Sequence, residues 1–432
     1  MIYGDSFYES NRARLDKLMD SLDWEHSSLK DDFASYQSLK EKSVALVEYY
    51  RNRDVEVGLL PKPLFFDADV QIRATLALEN KFSVQGIIAK QALMPNGNVD
   101  WDYKGPKDDQ EWAWVMNRHD YFSDLMSIWR KTERSEFLEL IDLHLKDWVV
   151  ANPVPNHMSF SSAWRALEVA RRFLGPWTDV FWGLENEKEL SDEARILFLS
   201  SIPEHANYLM KHHSFFGNHL VTEMTALANI ALIWPEFKAS EEWLEFATEK
   251  IMTELYAQTY PDGSYKELSN HYQRVALLSF QKAYDLYRVS GHDEVALKIR
   301  NRLEPMWDYF VGVMKPDGSG PLNNDADVEH NETFIKAILH KYDRPDWLSA
   351  VNKSKSGVSP VGVPSRYYEW AGQAIMRNGW DENAHWAYFE MGPHGSDHQH
   401  WDRLHLSLSI GTRNFLVDTG RYHYKRDKWR DY

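Results

Sequence analysis

The sequence contains no cysteine among its 432 residues, which excludes disulfide bonds and thiolate chemistry. It also lacks an apolar run of the roughly 20 residues that a transmembrane helix requires, so we expect no membrane insertion. Basic residues are in the minority, because 49 Lys and Arg stand against 65 Asp and Glu, for a formal net charge of −16. A nucleic-acid-binding protein would carry a basic footprint, and this balance argues against one.

Residues 1–6 offer neither the basic nor the apolar segment of a secretory signal peptide. This N-terminal sequence agrees with a cytoplasmic protein or with an exported protein from which the signal peptide has been removed. The lack of cysteine is compatible with either compartment. These residues leave both locations open.

Aromatic side chains are abundant: 18 Trp, 22 Tyr and 20 Phe. Most such rings pack in cores between helices, and flat rings also stack on sugars in carbohydrate clefts. A chain of 432 residues can bury them in a large core and can form more than one domain. The negative net charge is compatible with a polyanionic substrate, because a local cluster of Arg and His can reverse the field in a cleft.

The pattern of apolar residues divides the chain into two parts. From about residue 70 to 350, apolar residues recur at helical spacing between short breaks rich in Gly, Pro, Asn and Asp. Many helices joined by short loops predict antiparallel helical hairpins, stacked in an array or closed into a toroid. After residue 355 the alternation has period two and predicts about four strands of an antiparallel sheet. We therefore predict a helical domain over 1–355 and the start of a β-domain over 356–432.

The densest group of ionisable residues lies in the segment 392–402, which we name the histidine loop. It holds three histidines and two aspartates: His394, Asp397, His398, His400 and Asp402. Another carboxylate, Asp418, ends a later predicted strand. Such side chains beside a rigid strand suit metal binding or proton transfer. A polar surface loop with solvated histidines is the alternative.

A second group of polar residues opens a predicted helix. Gly217 and Asn218 suit a turn that opens the helix, and His219 and Glu223 share one of its faces. On these residues alone, a helix cap at Asn218 and a surface His–Glu pair is the simpler explanation.

A turn at Asp262 and Gly263 leads into another predicted helix, which holds Tyr272 near its start. The helix dipole favours anions at this end. A tyrosine here could be partly ionised or could give a proton to a leaving oxygen. A packed tyrosine is the commoner explanation.

Two segments place an arginine beside an aromatic ring. One contains Arg118 and His119, and the other contains Trp164, Arg165 and Glu168. Such groups fit carboxylate or sulfate recognition combined with sugar stacking. Salt bridges between helices explain them equally well.

The order of these motifs resembles that of the heparinase II/III family of polysaccharide lyases. The similar segments run over nearly the whole chain: 152–153, 164–168, 218–223, 262–272, 392–402 and 416–420. Segment 111–119 is similar to the heparan-sulfate lyase (heparinase III) branch. The resemblance implies an α+β multidomain fold, an N-terminal (α/α) toroid followed by an antiparallel β-sandwich, with the active cleft between them. We expect the β-sandwich to be truncated at residue 432.

The resemblance implies an enzyme, a polysaccharide lyase that cleaves a uronate-containing chain by β-elimination and leaves 4,5-unsaturated uronate ends. The C5 proton is removed and the C4 glycosidic oxygen is expelled, so the reaction needs a base, an acid and a group that neutralises the carboxylate. The expected partner is an acidic polysaccharide similar to heparan sulfate, a glycosaminoglycan. With this resemblance we expect a periplasmic or secreted protein and keep the cytoplasm as the alternative. The alternatives are a lyase for alginate or another uronan and an inactive carbohydrate-binding protein.

The resemblance also implies residue roles. Asn218 corresponds to the neutralising residue, assisted by His219. Tyr272 corresponds to the acid, and for some substrates also to the base, while His398 corresponds to the base from the sandwich side. The residues expected to bind substrate are Arg118, His119, Trp164, Arg165, Glu168 and Glu223.

His400 and Asp418 correspond to two ligands of the family's structural metal site, which is usually zinc. Imidazole nitrogen and carboxylate oxygen suit Zn²⁺, and Ca²⁺ is the alternative ion. Members of the family supply a further histidine from the next strand segment, a position past residue 432, so we expect this third ligand to be missing. His398 would depend on the metal through the geometry of the histidine loop.

Overall fold

A computed structural model of the chain describes residues 5–26, 29, 36, 38–55, 68–155, 161–353, 364–394 and 398–421. The centre of the histidine loop, 395–397 with the candidate residue Asp397, lies outside the described residues. So does most of the Gly- and Pro-containing segment 356–364, where the sequence predicts the start of the β-domain. Within the described ranges, no helix combines the length and the apolarity that a membrane crossing requires.

Helices dominate the described chain up to residue 351, and a sheet follows. The helices are α1 (Asp5–Ser10), α2 (Arg12–Ser21), α3 (Leu39–Asn52), α4 (Ala68–Leu78), α5 (Gln110–Arg118), α6 (Tyr121–Thr132), α7 (Glu136–Ala151), α8 (Ala166–Phe173), α9 (Pro176–Gly183), α10 (Asp192–His212), α11 (Gly217–Ile233), α12 (Ser240–Gln258), α13 (Asn270–Val289), α14 (Asp293–Gly312), α15 (Asn331–Ile338) and α16 (Pro345–Val351). The strands are β1 (Lys81–Val84), β2 (Ile87–Lys90), β3 (Arg366–Tyr368), β4 (Gln373–Arg377), β5 (His385–Glu390), β6 (Leu406–Ile410) and β7 (Arg413–Leu416).

The chain divides into two compact units. Unit 1 comprises residues 1–251 and 289–291, and unit 2 comprises residues 252–288 and 292–432. Unit 1 contains α1 to α11 and the β1–β2 hairpin, whereas unit 2 contains nearly all of α13, then α14 to α16 and the strands β3 to β7. The predicted domains, 1–355 and 356–432, stay a prediction.

Side-chain caps fix several helix starts in unit 1. Ser38 and Glu41 form a reciprocal capping box at α3, in which each side chain accepts a hydrogen bond from the other residue's backbone N–H. At α10, Ser191 Oγ accepts a 3.2 Å hydrogen bond from the N–H of Ala194. Asp192 follows in the first turn, where the helix dipole favours negative charge.

The core of unit 1 contains many aromatic rings. Trp148 and Trp177 are fully buried and meet edge to face, with ring centroids 5.1 Å apart. The ring of His205 lies 5.2 Å from that of Trp177. The Arg172 guanidinium lies over the Trp148 ring, 4.2 Å from its centroid. Core packing therefore accounts for this part of the aromatic excess, as the sequence predicts.

In unit 2, five antiparallel strands form one sheet in the order β3-β4-β5-β6-β7. Along β5 the side chains of Trp386, Tyr388 and Glu390 are buried, while the residues between them are more exposed. Trp386 and Tyr388 belong to the same apolar cluster as Tyr309 and Val313, so the sheet and α14 share a core. Glu390 continues this buried row with a carboxylate.

Strands β4 to β7 confirm the strands that the period-two alternation predicts. The predicted turn at Gly411, whose φ is +55°, joins β6 to β7. The pattern does not predict β3, because three residues show too little alternation. It also does not predict the β1–β2 hairpin, whose two strands of four residues each interrupt a region of helical pattern.

Candidate active site and metal centre

Tyr272 and His398 form the centre of the candidate site in unit 2. Tyr272 lies in the first turn of α13, as predicted, and His398 lies in the histidine loop. The two rings stack face to face, with centroids 3.6 Å apart and planes inclined by 15°. Both residues are partly buried. Two groups that can take part in proton transfer therefore lie in direct contact.

A carboxylate from the turn before α13 holds the His398 ring. Nδ1 of His398 lies 2.7 Å from Oε2 of Glu267. Oε1 of Glu267 lies 3.2 Å from the Tyr265 hydroxyl, which is also 3.0 Å from Oε1 of Gln258. The sequence pattern does not single out Glu267, and its place inside the 262–272 motif is the only signal that could have found it.

Asn324 ties the histidine loop to three other chain segments. It has a left-handed backbone, with φ of 57°, which Asn tolerates better than most residues. Its Oδ1 accepts a 2.8 Å hydrogen bond from the N–H of His400. Its Nδ2 donates to the carbonyl oxygen of Leu268 at 2.9 Å and to Oε1 of Glu390 at 3.1 Å. Its own N–H donates to Oδ2 of Asp418 at 2.8 Å.

The ring of His400 lies between two carboxylates. Nε2 lies 3.3 Å from Oδ1 of Asp325, and Nδ1 lies 3.5 Å from Oδ1 of Asp418. Hydrogen bonding to Asp325, and then to Asp418, raises the pKa of His400 to about 10. Burial pushes the pKa of Asp418 up, but the hydrogen bonds from His400 and from the backbone of Gly420 and Asn324 hold it below its ordinary value.

His400, Asp402 and Asp418 could hold a metal ion, because one ligand atom from each lies within 4.8 Å of the others. A cavity of about 310 Å³ is lined by Glu390, His400 and Asp402. Oε2 of Glu390 is buried and has no hydrogen-bond partner among the residues that the structure describes, and burial raises the pKa of this carboxyl to about 7. A buried, unpaired carboxylate oxygen among other acidic groups favours a cation. The donors therefore fit a divalent metal, and Asp402 adds a third group to the predicted pair.

A second group of possible ligands consists of His271, Asp327 and Glu329. Arginines already neutralise its carboxylates. Nη2 of Arg274 lies 2.7 Å from Oε1 of Glu329, and Nη2 of Arg421 lies 2.6 Å from Oδ2 of Asp327. Two guanidinium groups at this distance would repel a metal cation, so this group forms an ion-pair network.

In unit 1, Asn218 lies at the start of α11. The helix begins at Gly217, whose φ is +88°, and this confirms the predicted turn. Phe216 takes the N-cap position, and among the described residues no side-chain hydrogen bond caps the helix. The explanation of Asn218 as a helix cap is therefore wrong. Asn218 is partly buried, and His219 is exposed.

Glu223 is buried, so its explanation as part of a surface pair is also wrong. Its carboxylate accepts hydrogen bonds from the N–H of Ser214 at 2.6 Å and from the Ser214 hydroxyl at 2.8 Å. Burial raises the pKa of Glu223, and these hydrogen bonds oppose the shift. Through Ser214, Glu223 therefore holds in place the segment that precedes Asn218. That segment carries two rings in solvent, Phe215 and Phe216, which are 93% and 71% exposed.

The two arginines expected to bind substrate are engaged with Glu168, whose side chain is fully buried. Nη2 of Arg118 lies 2.8 Å from Oε1 of Glu168, and Nη1 of Arg165 lies 3.2 Å from the same atom. Salt bridges between helices are the alternative explanation that the sequence allows. The pair of Arg118 in α5 and Glu168 in α8 confirms that explanation. The substrate-binding role of these residues stays a prediction.

His119 and Trp164 have buried side chains in unit 1. His119 has a left-handed backbone with φ of 60°, and its Nδ1 accepts a 3.2 Å hydrogen bond from Nε1 of Trp177. Burial, and then the charge of Arg172, lowers the pKa of His119 well below its ordinary value. Burial gives both residues a packing role, and their contact with substrate stays a prediction.

The predicted residues thus fall into two sets. Unit 1 holds Arg118, His119, Trp164, Arg165, Glu168, Asn218, His219 and Glu223, and unit 2 holds Tyr272, His398, His400 and Asp418. The fold and the second set define a class of protein: a helical chain with a C-terminal antiparallel sheet, whose site combines a Tyr–His pair with an acidic cluster that could hold a metal ion.

Two family matches cover most of the chain. Residues 18–345 match the heparinase II/III N-terminus, and residues 361–432 match the heparinase II/III-like C-terminal region. The protein belongs to the heparinase II/III family.

Two relatives illustrate the similarity in sequence. A heparin-sulfate lyase of Bacteroides stercoris is 24% identical over 93% of this chain and 64% of its own length. A heparin-sulfate lyase of Pedobacter heparinus is 26% identical over 95% of this chain and 64% of its own length. The chain therefore spans slightly less than two thirds of these relatives.

Solved structures confirm the predicted fold class of a helical toroid followed by an antiparallel β-sandwich. A structure described as heparinase III has a TM-score of 0.80 at 20% identity, over 94% of this chain and 67% of that one. A heparan sulfate lyase from Pedobacter heparinus has a TM-score of 0.73 at 23% identity, over 96% of this chain and 67% of that one.

Proposed function

We propose that the protein is a polysaccharide lyase that cleaves heparan sulfate-like, uronate-containing chains by β-elimination. The observation that carries the proposal is the contact between Tyr272 and His398, whose ring centroids are 3.6 Å apart. β-Elimination needs an acid and a base but no activated water, and these two side chains can serve as that pair. The relatives named heparin-sulfate lyase support the substrate class.

In the proposed reaction, His398 accepts the C5 proton, and Tyr272 gives its hydroxyl proton to O4 as the C4–O4 bond breaks. The electron pair of the C5–H bond forms the C4–C5 double bond, so the new end is a 4,5-unsaturated uronate. Asn218, assisted by His219, donates hydrogen bonds to the uronate carboxylate, where negative charge grows in the transition state. In some substrates Tyr272 also serves as the base.

A polyanionic substrate needs local positive charge on a chain whose net charge is −16. Unit 1 has an open groove of about 540 Å³ whose lining includes Arg14, Lys17, Glu204 and Lys211. Arg14 pairs with Glu204 at 2.7 Å, so the two lysines add positive charge beyond that pair. We propose that sulfate or carboxylate groups of the substrate contact Lys17 and Lys211.

The exposed rings of Phe215 and Phe216 also suit a carbohydrate ligand. Both directly precede α11 and the proposed neutralising residue Asn218. An aromatic face in solvent can stack on the apolar face of a sugar. We propose that these rings hold a sugar unit of the polysaccharide.

We propose zinc as the metal at His400 and Asp418, with Asp402 as a third ligand and calcium as the second candidate. Mixed nitrogen and oxygen donors suit Zn²⁺, whereas the surplus of carboxylates, including Glu390, would suit Ca²⁺. The ion would supply positive charge that offsets these carboxylates and holds the histidine loop in place.

The metal proposal is tested by the Tm with and without chelator. The Tm should fall when the metal is removed and return with zinc, or with calcium if that ion is bound. The Asp418→Asn variant should lose the response to added metal. A wild-type Tm that neither chelator nor metal changes would contradict the proposal.

A periplasmic or secreted location suits an enzyme whose substrate is an external polysaccharide, and we propose it here. Fractionation of the native cells tests it, with a cytoplasmic marker enzyme as the control. Recovery of the protein only with that marker would contradict this location.

The substrate is tested by the rise in ultraviolet absorbance that a conjugated, unsaturated uronate produces. The panel is heparan sulfate, heparin, hyaluronan, chondroitin and alginate. Heparan sulfate should react fastest, and Tyr272→Phe should abolish the signal, whereas Tyr256→Phe, at an exposed tyrosine of α12, should not. A faster reaction with alginate supports the alternative lyase, and binding without product supports an inactive carbohydrate-binding protein. No absorbance change with any polysaccharide contradicts a lyase.

A further inference from the structure

Glu267 occupies a defined position beside the Tyr272–His398 pair. Its Oε2 lies 2.7 Å from Nδ1 of His398, and its Oε1 lies 3.2 Å from the Tyr265 hydroxyl. The side chain is only 13% exposed. Both carboxylate oxygens are therefore engaged, one with the imidazole and one with a buried phenol.

The turn that carries Glu267 is itself fixed. The N–H of Tyr265 donates a 2.6 Å hydrogen bond to Oε1 of Gln273, which lies in α13. The N–H of Leu268 donates to the carbonyl oxygen of Tyr265 at 2.9 Å, and Leu268 has a left-handed backbone with φ of 50°. One short segment thus presents Glu267 and, a turn later, Tyr272. The positions of the carboxylate and the phenol are set together.

The hydrogen bond to Glu267 selects one form of the His398 ring. An ionised carboxylate only accepts hydrogen bonds, so the imidazole must carry its proton on Nδ1. In a neutral ring the lone pair is then on Nε2, the nitrogen that can accept a proton. The same bond fixes one edge of the ring, and the Tyr272 ring covers its face at an inclination of 15°. Tautomer and ring orientation are both determined.

We propose that Glu267 is a positioning residue that holds His398 in the Nδ1–H tautomer and parallel to Tyr272. This inference rests on the proposed lyase function, in which His398 takes the C5 proton. Glu267 acts through His398 and does not touch the reacting atoms. A carboxylate that orients a histidine base in this way is worth several orders of magnitude in rate in other enzymes.

The test uses Glu267→Gln and Glu267→Asp with Glu329→Gln as the matched control. Glu329 has the same relation to another histidine, because its Oε1 lies 2.8 Å from Nδ1 of His271 and its side chain is 12% exposed. A glutamine keeps the size of the side chain but can donate its amide N–H to Nδ1, which favours the wrong tautomer. Aspartate keeps an acceptor that cannot donate.

Glu267→Gln should lower kcat by about 10²- to 10³-fold with KM changed less than about threefold. Glu267→Asp should recover part of this loss, and Glu329→Gln should stay within about threefold of wild-type kcat. A merely structural role for Glu267 would lower the Tm without this split between kcat and KM. Wild-type kcat in Glu267→Gln would overturn the proposal.

A second measurement requires no substrate. Nitrogen NMR of the wild-type protein labelled in its histidines reports which nitrogen of His398 carries the proton, and the spectrum of His398→Asn identifies its signals. Protonation of Nδ1 in the neutral ring is the expected result. A neutral ring protonated on Nε2 overturns the role of Glu267, whatever the activity. If no polysaccharide is cleaved, the lyase function fails, while this spectrum still decides the tautomer.

Discussion

The two units use histidine in opposite ways. In unit 1, His119 and His205 are fully buried among aromatic rings, and burial, followed by the charge of Arg172, lowers the pKa of both well below the ordinary value. In unit 2, His400 is only partly buried and lies between Asp325 and Asp418, whose hydrogen bonds raise its pKa to about 10. The pKa of the same side chain is thus lowered by its surroundings in one unit and raised by them in the other.

This difference shows that the groups around an imidazole decide whether it serves in packing or in chemistry. Rings that exclude water disfavour the charged form, so the histidine packs as one more aromatic side chain. Carboxylates stabilise the charged form and also provide the oxygen ligands of a metal site. A loop rich in both histidine and aspartate, such as 392–402, is therefore a better functional signal than the isolated His119 beside Arg118.

The largest expected effect, on kcat, comes from a comparison in which one histidine of each unit is replaced by asparagine. His398→Asn should lower kcat by about 10²- to 10⁴-fold, because a proton acceptor is lost, with little change in Tm. His205→Asn should act mainly on stability, by about 1–3 kcal/mol, because Nε of Arg172 donates to Nε2 of His205 at 3.2 Å inside the core. The ultraviolet assay and thermal melting measure the two effects. Full activity in His398→Asn would contradict the difference proposed here between a catalytic histidine in unit 2 and a packed histidine in unit 1.

Replacing one tryptophan in each unit by alanine compares how much a buried ring and an exposed ring contribute to stability. Trp148→Ala should lower the free energy of unfolding by about 3–5 kcal/mol, since it leaves a large cavity among close-packed rings. Trp401→Ala, at an exposed ring of the histidine loop, should change it by less than about 0.5 kcal/mol. Urea denaturation measures both. Equal losses would mean that the loop is as tightly packed as the core.

Acid should weaken unit 1 through its buried histidines. Burial lowers the pKa of His144 from 6.5 to about 4, and its Nδ1 lies 2.7 Å from the Tyr121 hydroxyl. The unfolded chain therefore binds a proton first, so this contribution to stability is present above pH 6.5 and is lost as the pH falls towards 4. The loss at pH 5 should be about 2 kcal/mol for this residue.

The control for the acid prediction is His144→Asn, which keeps a hydrogen-bond acceptor for Tyr121 but does not titrate. Its free energy of unfolding should fall less than that of the wild type between pH 7 and pH 5. An identical acid response in the two proteins would show that other groups dominate.

The smallest expected effect concerns the proposed substrate groove of unit 1. The double variant Lys17→Gln, Lys211→Gln should raise KM for heparan sulfate about two- to fivefold and leave kcat unchanged, because solvent-exposed ion pairs are each worth at most about 1 kcal/mol. The difference from wild type should shrink at high salt. Lys298→Gln, at an exposed pair with Glu294 in α14, is the control. An equal rise in KM for that variant would assign the effect to net charge alone.

Local patterns in the sequence predict the elements but not the pairings between them. Helical spacing, period-two alternation and turn residues give the helices, the strands β4 to β7 and the place of Tyr272 at a helix start. Glu267 and His398 are 131 residues apart, and Arg118 and Glu168 are 50 apart. No periodicity links residues so distant, because tertiary packing brings them together.

Burial is the other property that local patterns do not predict. Glu223 shares a helix face with His219 in the pattern, yet the first is buried and the second is exposed. Glu390 falls on the buried face of β5, where period two predicts an apolar residue. These two carboxylates depart from the pattern because each holds polar groups together, Ser214 in one case and Asn324 in the other.

The bonds of Asn324 have a kinetic consequence. They connect it to residues 56 positions before it, at Leu268, and 94 positions after it, at Asp418. Closing such long loops has a large entropic cost, so contacts of this kind form after local helices and hairpins. We expect the carboxylates around His400 to come together only in the last stage of folding. Asn324→Ala should then speed unfolding in stopped-flow experiments and leave the refolding rate almost unchanged.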